Sequence, residues 1–107
     1  MEAIKEQGNR HTKELQYRAA IADYTRAIRM NPYNEFLYCN RSMCYLKCGD
    51  FWLATVDSVR AYSLKADYDK AYFRCTESWL HLGELRYAAI LNQVARKVCQ
   101  YLSLIHI

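Results

Sequence analysis

Residues 35–48 read EFLYCNRSMCYLKC, and this stretch decides the fold. Because each helical residue turns by about 100°, the stretch has two opposed faces when it is wound as a helix. One stripe, at i, i+4, i+7 and i+11, consists of Phe36, Asn40, Met43 and Lys47. The opposite face includes Tyr38, Ser42 and Tyr45. A stripe that mixes apolar residues with an amide and an ammonium predicts the floor of a groove, whereas a solvated back would be polar throughout.

The chain repeats with a period of 34 residues. Two alanine columns recur at this spacing, namely Ala20, Ala54 and Ala88, and Ala27, Ala61 and Ala95. Large apolar residues recur as Tyr17, Phe51 and Leu85. A 34-residue period with these columns is the signature of the tetratricopeptide repeat (TPR), a helix–turn–helix unit. The sequence therefore predicts an all-α TPR superhelix, a form of α-solenoid.

The period divides the chain into three repeats and a short tail. The predicted repeats are residues 1–34, 35–68 and 69–102, and the tail is 103–107. Repeat stacks normally end in a helix that covers the last repeat, and this tail is too short to form one. The closing helix is therefore expected to be missing or incomplete, with the tail truncated or non-native. Self-association through the uncapped C-terminal end is a further expectation.

Composition narrows the function classes. The net charge of +4 is mild, and no dense block of Lys and Arg with interleaved aromatics indicates nucleic-acid binding. No run of 18 apolar residues predicts a membrane-spanning helix. The five cysteines are odd in number and lack a disulfide or zinc spacing, so we expect reduced thiols and a cytoplasmic protein, with the nucleus possible. No catalytic, cofactor-binding or metal-binding arrangement is apparent, and we expect no enzyme activity.

The stripe of residues 35–48 has counterparts one period away on either side. In the first repeat they are Glu2, Glu6, Asn9 and Lys13, and in the third they are Lys70, Arg74, Glu77 and His81. Since the first helix of each repeat lines the concave side of a TPR stack, these side chains are expected to share one groove. The donors in and beside the three stripes are Lys5, Asn9, Lys13, Asn40, Lys47, Lys70 and Arg74. The groove lining is completed by Phe36, Met43, Glu77 and His81.

Such a groove suits carboxylates. Lys and Arg supply charge, Arg can hold a carboxylate through two parallel hydrogen bonds, and Asn amides donate without adding charge. An extended peptide with a free C-terminal carboxylate and an acidic side chain would use donors at two or more places. The alternative interpretation is a solvated polar face that only keeps the stack soluble, in which case the domain is a scaffold that binds through other surfaces.

Several of these residues also resemble a known motif. Lys5, Gly8-Asn9, Tyr38-x-Asn40-Arg41-Ser42 and Lys70-x-x-x-Arg74 are similar to the carboxylate clamp of TPR co-chaperones. That family binds the C-terminal Glu-Glu-Val-Asp tails of the cytosolic seventy- and ninety-kilodalton heat-shock chaperones. The resemblance implies that Lys5, Asn9, Asn40 and Lys70 hold the terminal carboxylates. It implies that Arg74 helps to bind the peptide backbone or a group further upstream in the peptide. Glu77, one turn after Arg74, is a departure from the family's pattern.

A finer resemblance is carried by segments between residues 24 and 99. The segments that carry it include Tyr24-Thr25-Arg26-Ala27-Ile28, Leu37-Tyr38, Leu82-Gly83-Glu84, Asn92, Lys97 and Cys99. They are similar to the TPR region of a large RING-type ubiquitin ligase. This resemblance implies a module that recruits substrates or chaperones while catalysis resides elsewhere in a longer protein.

Overall fold

The computed structural model describes residues 2–83, 90, 92–94 and 97. Within residues 2–83 the chain forms α1 (Glu2–Lys13), α2 (Tyr17–Met30), α3 (Glu35–Cys48), α4 (Phe51–Leu64) and α5 (Asp69–His81). Residues 90, 92–94 and 97 are also helical, so all regular secondary structure in the described part of the chain is α-helix. The all-α prediction is confirmed. The predicted tail 103–107, and the self-association surface expected there, lie outside the described residues.

Short connections join the helices into hairpins that stack side by side. Each helix packs against the next one in the chain, and α3 also contacts α5. The helices α1, α3 and α5 are the first helices of successive predicted repeats, and their shared side of the stack carries the predicted groove. Among the described residues, no helix combines the length and the continuous apolar run that a membrane crossing would require.

The alanine columns lie where the helices approach one another. Ala20, Ala27, Ala54 and Ala61 are completely buried. Small side chains at these positions allow the helices to pack closely without voids. Gly8 plays the same part on α1, because a Cβ atom there would lie only 2.8 Å from Cε1 of Tyr24. The ring of Tyr24 therefore occupies the space that a side chain at Gly8 would need.

Both ends of α3 follow sequence signals. Oδ1 of Asn34 accepts a hydrogen bond from the backbone N–H of Phe36 and caps α3 at its start. Gly49, with φ of 81°, ends α3 in the left-handed conformation that glycine adopts readily. Asp50 occupies the N-cap position of α4, but its side chain makes no capping hydrogen bond. Its carboxylate instead accepts a hydrogen bond from Nη1 of Arg18 on α2, at 2.8 Å.

A buried ion pair fastens the middle of the stack. The guanidinium of Arg41 on α3 donates from Nε and Nη2 to the two carboxylate oxygens of Asp57 on α4, at 2.6 and 2.7 Å. Its Nη1 donates to Oγ1 of Thr25 on α2, at 3.0 Å. Burial opposes the charge of Arg41, but the hydrogen bonds and negative charge of Asp57 outweigh it and raise the pKa of the guanidinium. The side chain of Arg41 therefore links α2, α3 and α4.

A related pairing occurs one period earlier in the chain. Asp23 on α2 occupies the position that corresponds to Asp57, and it is also buried. Its carboxylate contacts Nδ1 of His11 on α1 and accepts a hydrogen bond from Nη2 of Arg26, at 2.8 Å. Both hairpins therefore place an acidic side chain of the second helix against a nitrogen donor of the first.

We expect Asp57→Ala to lower the free energy of unfolding by about 3–5 kcal/mol, because it leaves the Arg41 guanidinium buried without a counter-charge. Urea denaturation followed by circular dichroism measures the change. Arg60→Ala is the matched control, since Arg60 Nη1 lies 3.9 Å from the same carboxylate and its side chain is 57% exposed. That variant should change the stability by less than about 0.5 kcal/mol. Equal effects from the two substitutions would contradict the structural role assigned to Arg41.

Candidate functional site

Two of the predicted site residues meet at the hydroxyl of Tyr24. Oη of Tyr24 on α2 donates to Oδ1 of Asn9 on α1, at 2.6 Å. Asn40 on α3 lowers the pKa of the same hydroxyl, and Thr12 Oγ1 is 3.5 Å away from it. Burial raises the pKa of the Tyr24 phenol, while its hydrogen bonds with Thr12 and Asn40 act in the opposite direction. Tyr24 therefore anchors the amide of Asn9 and is also influenced by the Asn40 amide of the next repeat.

This anchor orients the amide of Asn9. Its carbonyl oxygen accepts from Tyr24, so its NH₂ group points in another direction and can donate to an acceptor in the groove. Sequence reasoning missed Tyr24, because an aromatic residue on the second helix of a repeat is ordinarily a core residue. Tyr24 is indeed 1% exposed, but its hydroxyl donates to Asn9, a predicted site residue. The available signal was the choice of tyrosine at a core position, since its hydroxyl needs a partner when buried.

The predicted cations of α5 lie opposite α3. Lys70 is exposed and Arg74 is half-buried, one helical turn apart. The positive charges of both residues lower the pKa of the thiol of Cys39, which precedes Asn40 on α3. Burial raises the pKa of this thiol, and the hydrogen bond with Tyr68 and the positive charges of Arg74 and Lys70 only partly offset that effect. The charges of Lys70 and Arg74 therefore act on the part of α3 that carries Asn40.

Lys5 stands one turn before Asn9 on α1 and is half-buried. In the described part of the chain, no hydrogen bond or ion pair joins it to the other four predicted site residues. Lys13 is exposed at the C-terminal end of the same helix. The structure therefore groups Asn9 with Asn40 through Tyr24 and groups Lys70 with Arg74 near Cys39. Lys5 is related to these two groups only by its position on α1, one turn before Asn9.

A polar cavity of about 290 Å³ opens between the C-terminal halves of α3 and α5. It is lined by Met43, Leu46, Lys47, Arg74, Glu77 and His81. All of these except Leu46 were predicted as site or groove-lining residues. The guanidinium of Arg74 faces the carboxylate of Glu77, with Nη1 and Oε1 separated by 3.4 Å. The imidazole of His81 stacks on the ring of Phe51, with ring centroids 4.4 Å apart.

Phe36 was predicted to line the same groove, but it does not border this cavity. It stands in the first turn of α3, two turns before Met43, and its ring packs edge-on against Tyr68 with centroids 5.3 Å apart. The ammonium of Lys65 lies 5.8 Å from the centre of the Phe36 ring. Phe36 is still 42% exposed, so it forms an apolar rim at the opposite end of α3.

The arrangement provides hydrogen-bond donors and positive charge rather than reactive groups. Lys70 and Arg74 contribute charge from α5, while Asn9 and Asn40 contribute amides from α1 and α3. Among the described residues, no group of three or more His, Cys, Asp and Glu side chains is placed to hold a metal ion. Chemically, the site is suited to an anion that needs donors from several directions, as a peptide carboxylate does.

Solved structures define the class of this domain. The second TPR of Spaghetti (RPAP3) bound to the HSP90 peptide SRMEEVD superposes with a TM-score of 0.85 and 33% sequence identity, over 90% of this chain and 89% of that one. The second TPR domain of human RPAP3, in complex with the HSP70 peptide SGPTIEEVD, gives a TM-score of 0.78 and 32% identity, over 94% and 92% of the two chains. The chain belongs to the tetratricopeptide repeat family. No protein-family model matches it.

A longer relative extends the comparison. The chain is 36% identical to the E3 ubiquitin-protein ligase TTC3 of Mus musculus over 99 residues, which is 92% of this chain. It spans only 5% of the length of that ligase. The resemblance of the sequence to the TPR region of a large ubiquitin ligase is therefore confirmed at the level of the repeat domain.

We expect the thiol of Cys39 to react with iodoacetamide about tenfold more slowly than that of Cys48 near neutral pH. Cys39 is buried and its pKa is raised, so a smaller fraction of this thiol is present as the reactive thiolate. Its alkylation rate should therefore keep rising at pH values above the ordinary pKa of a cysteine. Cys48 is only half-buried. Timed alkylation followed by peptide mapping measures both rates, and faster labelling of Cys39 would contradict the packing of α3 against α5.

Proposed function

We propose that this domain is a non-catalytic module that binds acidic C-terminal peptides of the Glu-Glu-Val-Asp type. Its binding site is the carboxylate clamp, which consists of Lys5, Asn9, Asn40, Lys70 and Arg74. The observation that carries the proposal is the hydrogen bond from the Tyr24 hydroxyl to Asn9 on α1, together with the influence of Asn40 on α3 on the same hydroxyl. The influence of Lys70 and Arg74 on the Cys39 thiol of α3 supports the inclusion of these two cations of α5.

A C-terminal residue with an acidic side chain presents two carboxylates that need separate sets of donors. The amides and the ammonium groups of Lys5 and Lys70 suit these carboxylates, because Asn donates without adding charge and Lys donates as a compact charge. Arg74 lines the cavity between α3 and α5, and we assign it to the peptide backbone or a residue upstream. The two solved complexes of related TPR domains with HSP90 and HSP70 peptides support this choice of ligand.

The natural partners that fit this proposal are the C-terminal tails of the seventy- and ninety-kilodalton heat-shock chaperones, encountered in the cytoplasm or the nucleus. A second candidate function is favoured by the 36% identity to mouse TTC3. In that case the domain is a TPR scaffold or a substrate-recruiting part of a larger protein such as a ubiquitin ligase, and the charges on the concave side are incidental. The two functions differ in whether binding needs a free terminal carboxylate.

We expect Lys70→Ala to weaken binding of a Glu-Glu-Val-Asp peptide by roughly tenfold or more, which corresponds to about 1.4 kcal/mol. Asn40→Ala should also weaken binding, although no charge is lost, because a matched amide donor is removed. Fluorescence anisotropy with a labelled peptide measures both affinities. Raising the salt concentration should weaken binding further by screening the exposed part of the field.

Two controls accompany that measurement. Lys97→Ala removes an exposed lysine outside the three stripes and should leave the affinity unchanged. The amidated peptide lacks the terminal carboxylate and should bind much more weakly than the acid. Equal binding of acid and amide, or an equal loss from Lys97→Ala and Lys70→Ala, would exclude the clamp and favour the scaffold.

Tyr24→Phe tests the anchor of the Asn9 amide. It keeps the aromatic ring in the core and removes only the hydroxyl that donates to Asn9. We expect the acidic peptide to bind about three- to tenfold more weakly, because the Asn9 amide loses its fixed orientation, whereas the weak binding of the amidated peptide should barely change. An unaltered ratio of acid to amide affinity in Tyr24→Phe would show that the hydroxyl serves stability alone.

A further inference from the structure

Glu77 is the one acidic side chain among the residues that line the cavity between α3 and α5. It lies one turn beyond Arg74, and its side chain is 37% exposed. The separation of 3.4 Å between Arg74 Nη1 and Glu77 Oε1 is longer than the 2.7–2.9 Å, or thereabouts, of a close charge-assisted hydrogen bond. Lys47, the other cation of the cavity, forms no ion pair with Glu77 in the described structure. The carboxylate is therefore held loosely and is open to a new partner.

We propose that Glu77 makes this cavity a subsite for a cationic side chain upstream of the acidic C terminus of the bound peptide. This inference rests on the proposed function and names the peptide class more closely. When a peptide carboxylate or carbonyl group engages Arg74, the loose pair between Arg74 and Glu77 gives way. Glu77 then faces the peptide without its original partner, and an Arg or Lys of the peptide can replace it.

The dimensions of the groove agree with this exchange. Lys70 and Glu77 are seven positions apart on α5, which at a rise of about 1.5 Å per residue is roughly 10 Å. An extended peptide covers that length in about three residues. A long cationic side chain three to five positions before the terminal carboxylate therefore has the reach to contact Glu77. Met43 and Leu46 border the same cavity and offer an apolar surface to the methylene groups of such a side chain.

The probe is the heptapeptide SRMEEVD, whose arginine is five positions before its terminal aspartate, compared with the same peptide carrying glutamine in place of arginine. Each is prepared as the free acid and as the C-terminal amide. We expect the unmodified domain to bind the arginine acid about two- to fivefold more tightly than the glutamine acid, which is the range of a partly exposed ion pair. Glu77→Gln should bring this ratio to about one.

Glu14→Gln is the matched control, because it removes the same charge from an exposed residue between α1 and α2. It should leave the ratio of the two peptides as it is in the unmodified domain. If Glu77 serves only to orient Arg74, Glu77→Gln will weaken both peptides by the same factor, and the proposal is overturned. It is also overturned if the unmodified domain binds the two acids equally.

The amide peptides separate this inference from the proposed function. Binding that needs the free carboxylate but ignores the arginine would exclude the cationic subsite and leave the clamp in place. Binding that is equal for acid and amide would exclude the clamp itself, and with it the premise of the subsite. A carboxylate-dependent preference for arginine that disappears only in Glu77→Gln supports both.

Discussion

The buried pair of Arg41 and Asp57 holds the part of the fold on which the groove depends. Arg41 joins α3 to α4 through two hydrogen bonds with Asp57 and joins α3 to α2 through Thr25. Because both charged groups are removed from water, each stabilises the fold only while the other is present. A hydrophobic pair could fill the same volume, but it would not fix the rotation of α3 through three directed bonds. That rotation determines which face of α3 borders the groove.

Core packing and the candidate site are joined again at Tyr24. Its ring lies in the space left by the missing side chain of Gly8, and this close approach brings its hydroxyl to the amide of Asn9 on α1. A larger residue at position 8 would push the ring away and separate the hydroxyl from both Asn9 and Asn40. The small-residue column of the repeat is thus a condition for the site as well as for helix packing. In this domain the orientation of a surface amide is set by a glycine beneath it.

The 34-residue period was sufficient to predict the helices and most of the cavity lining. It placed Met43 and Lys47 on one helix and Glu77 and His81 on another, all on one side of the stack, because equivalent positions of stacked repeats share a face. Phe36 obeys the same period but lies too far along α3 to border the cavity. The period could not predict the pairing of Asp50 with Arg18. A local cap and a longer-range ion pair compete for that carboxylate, and the choice depends on how closely α2 approaches the end of α3.

The contacts of Tyr24 and Arg41 could not be predicted from the sequence, for a related reason. Each depends on the distance between neighbouring helices, whereas periodicity specifies only the face on which a residue lies. Glu77 shows that sequence periodicity has the same limit at the candidate site. Its register revealed that it shares a stripe with Arg74, but only the structure shows that the two charges are 3.4 Å apart beside Met43 and Leu46. A groove lined with cations alone would attract any acidic chain, and one carboxylate beyond the proposed clamp would add a requirement of opposite sign. Selectivity among acidic tails would then depend on where their positive charges lie, because the acidic groups that they share would not distinguish them.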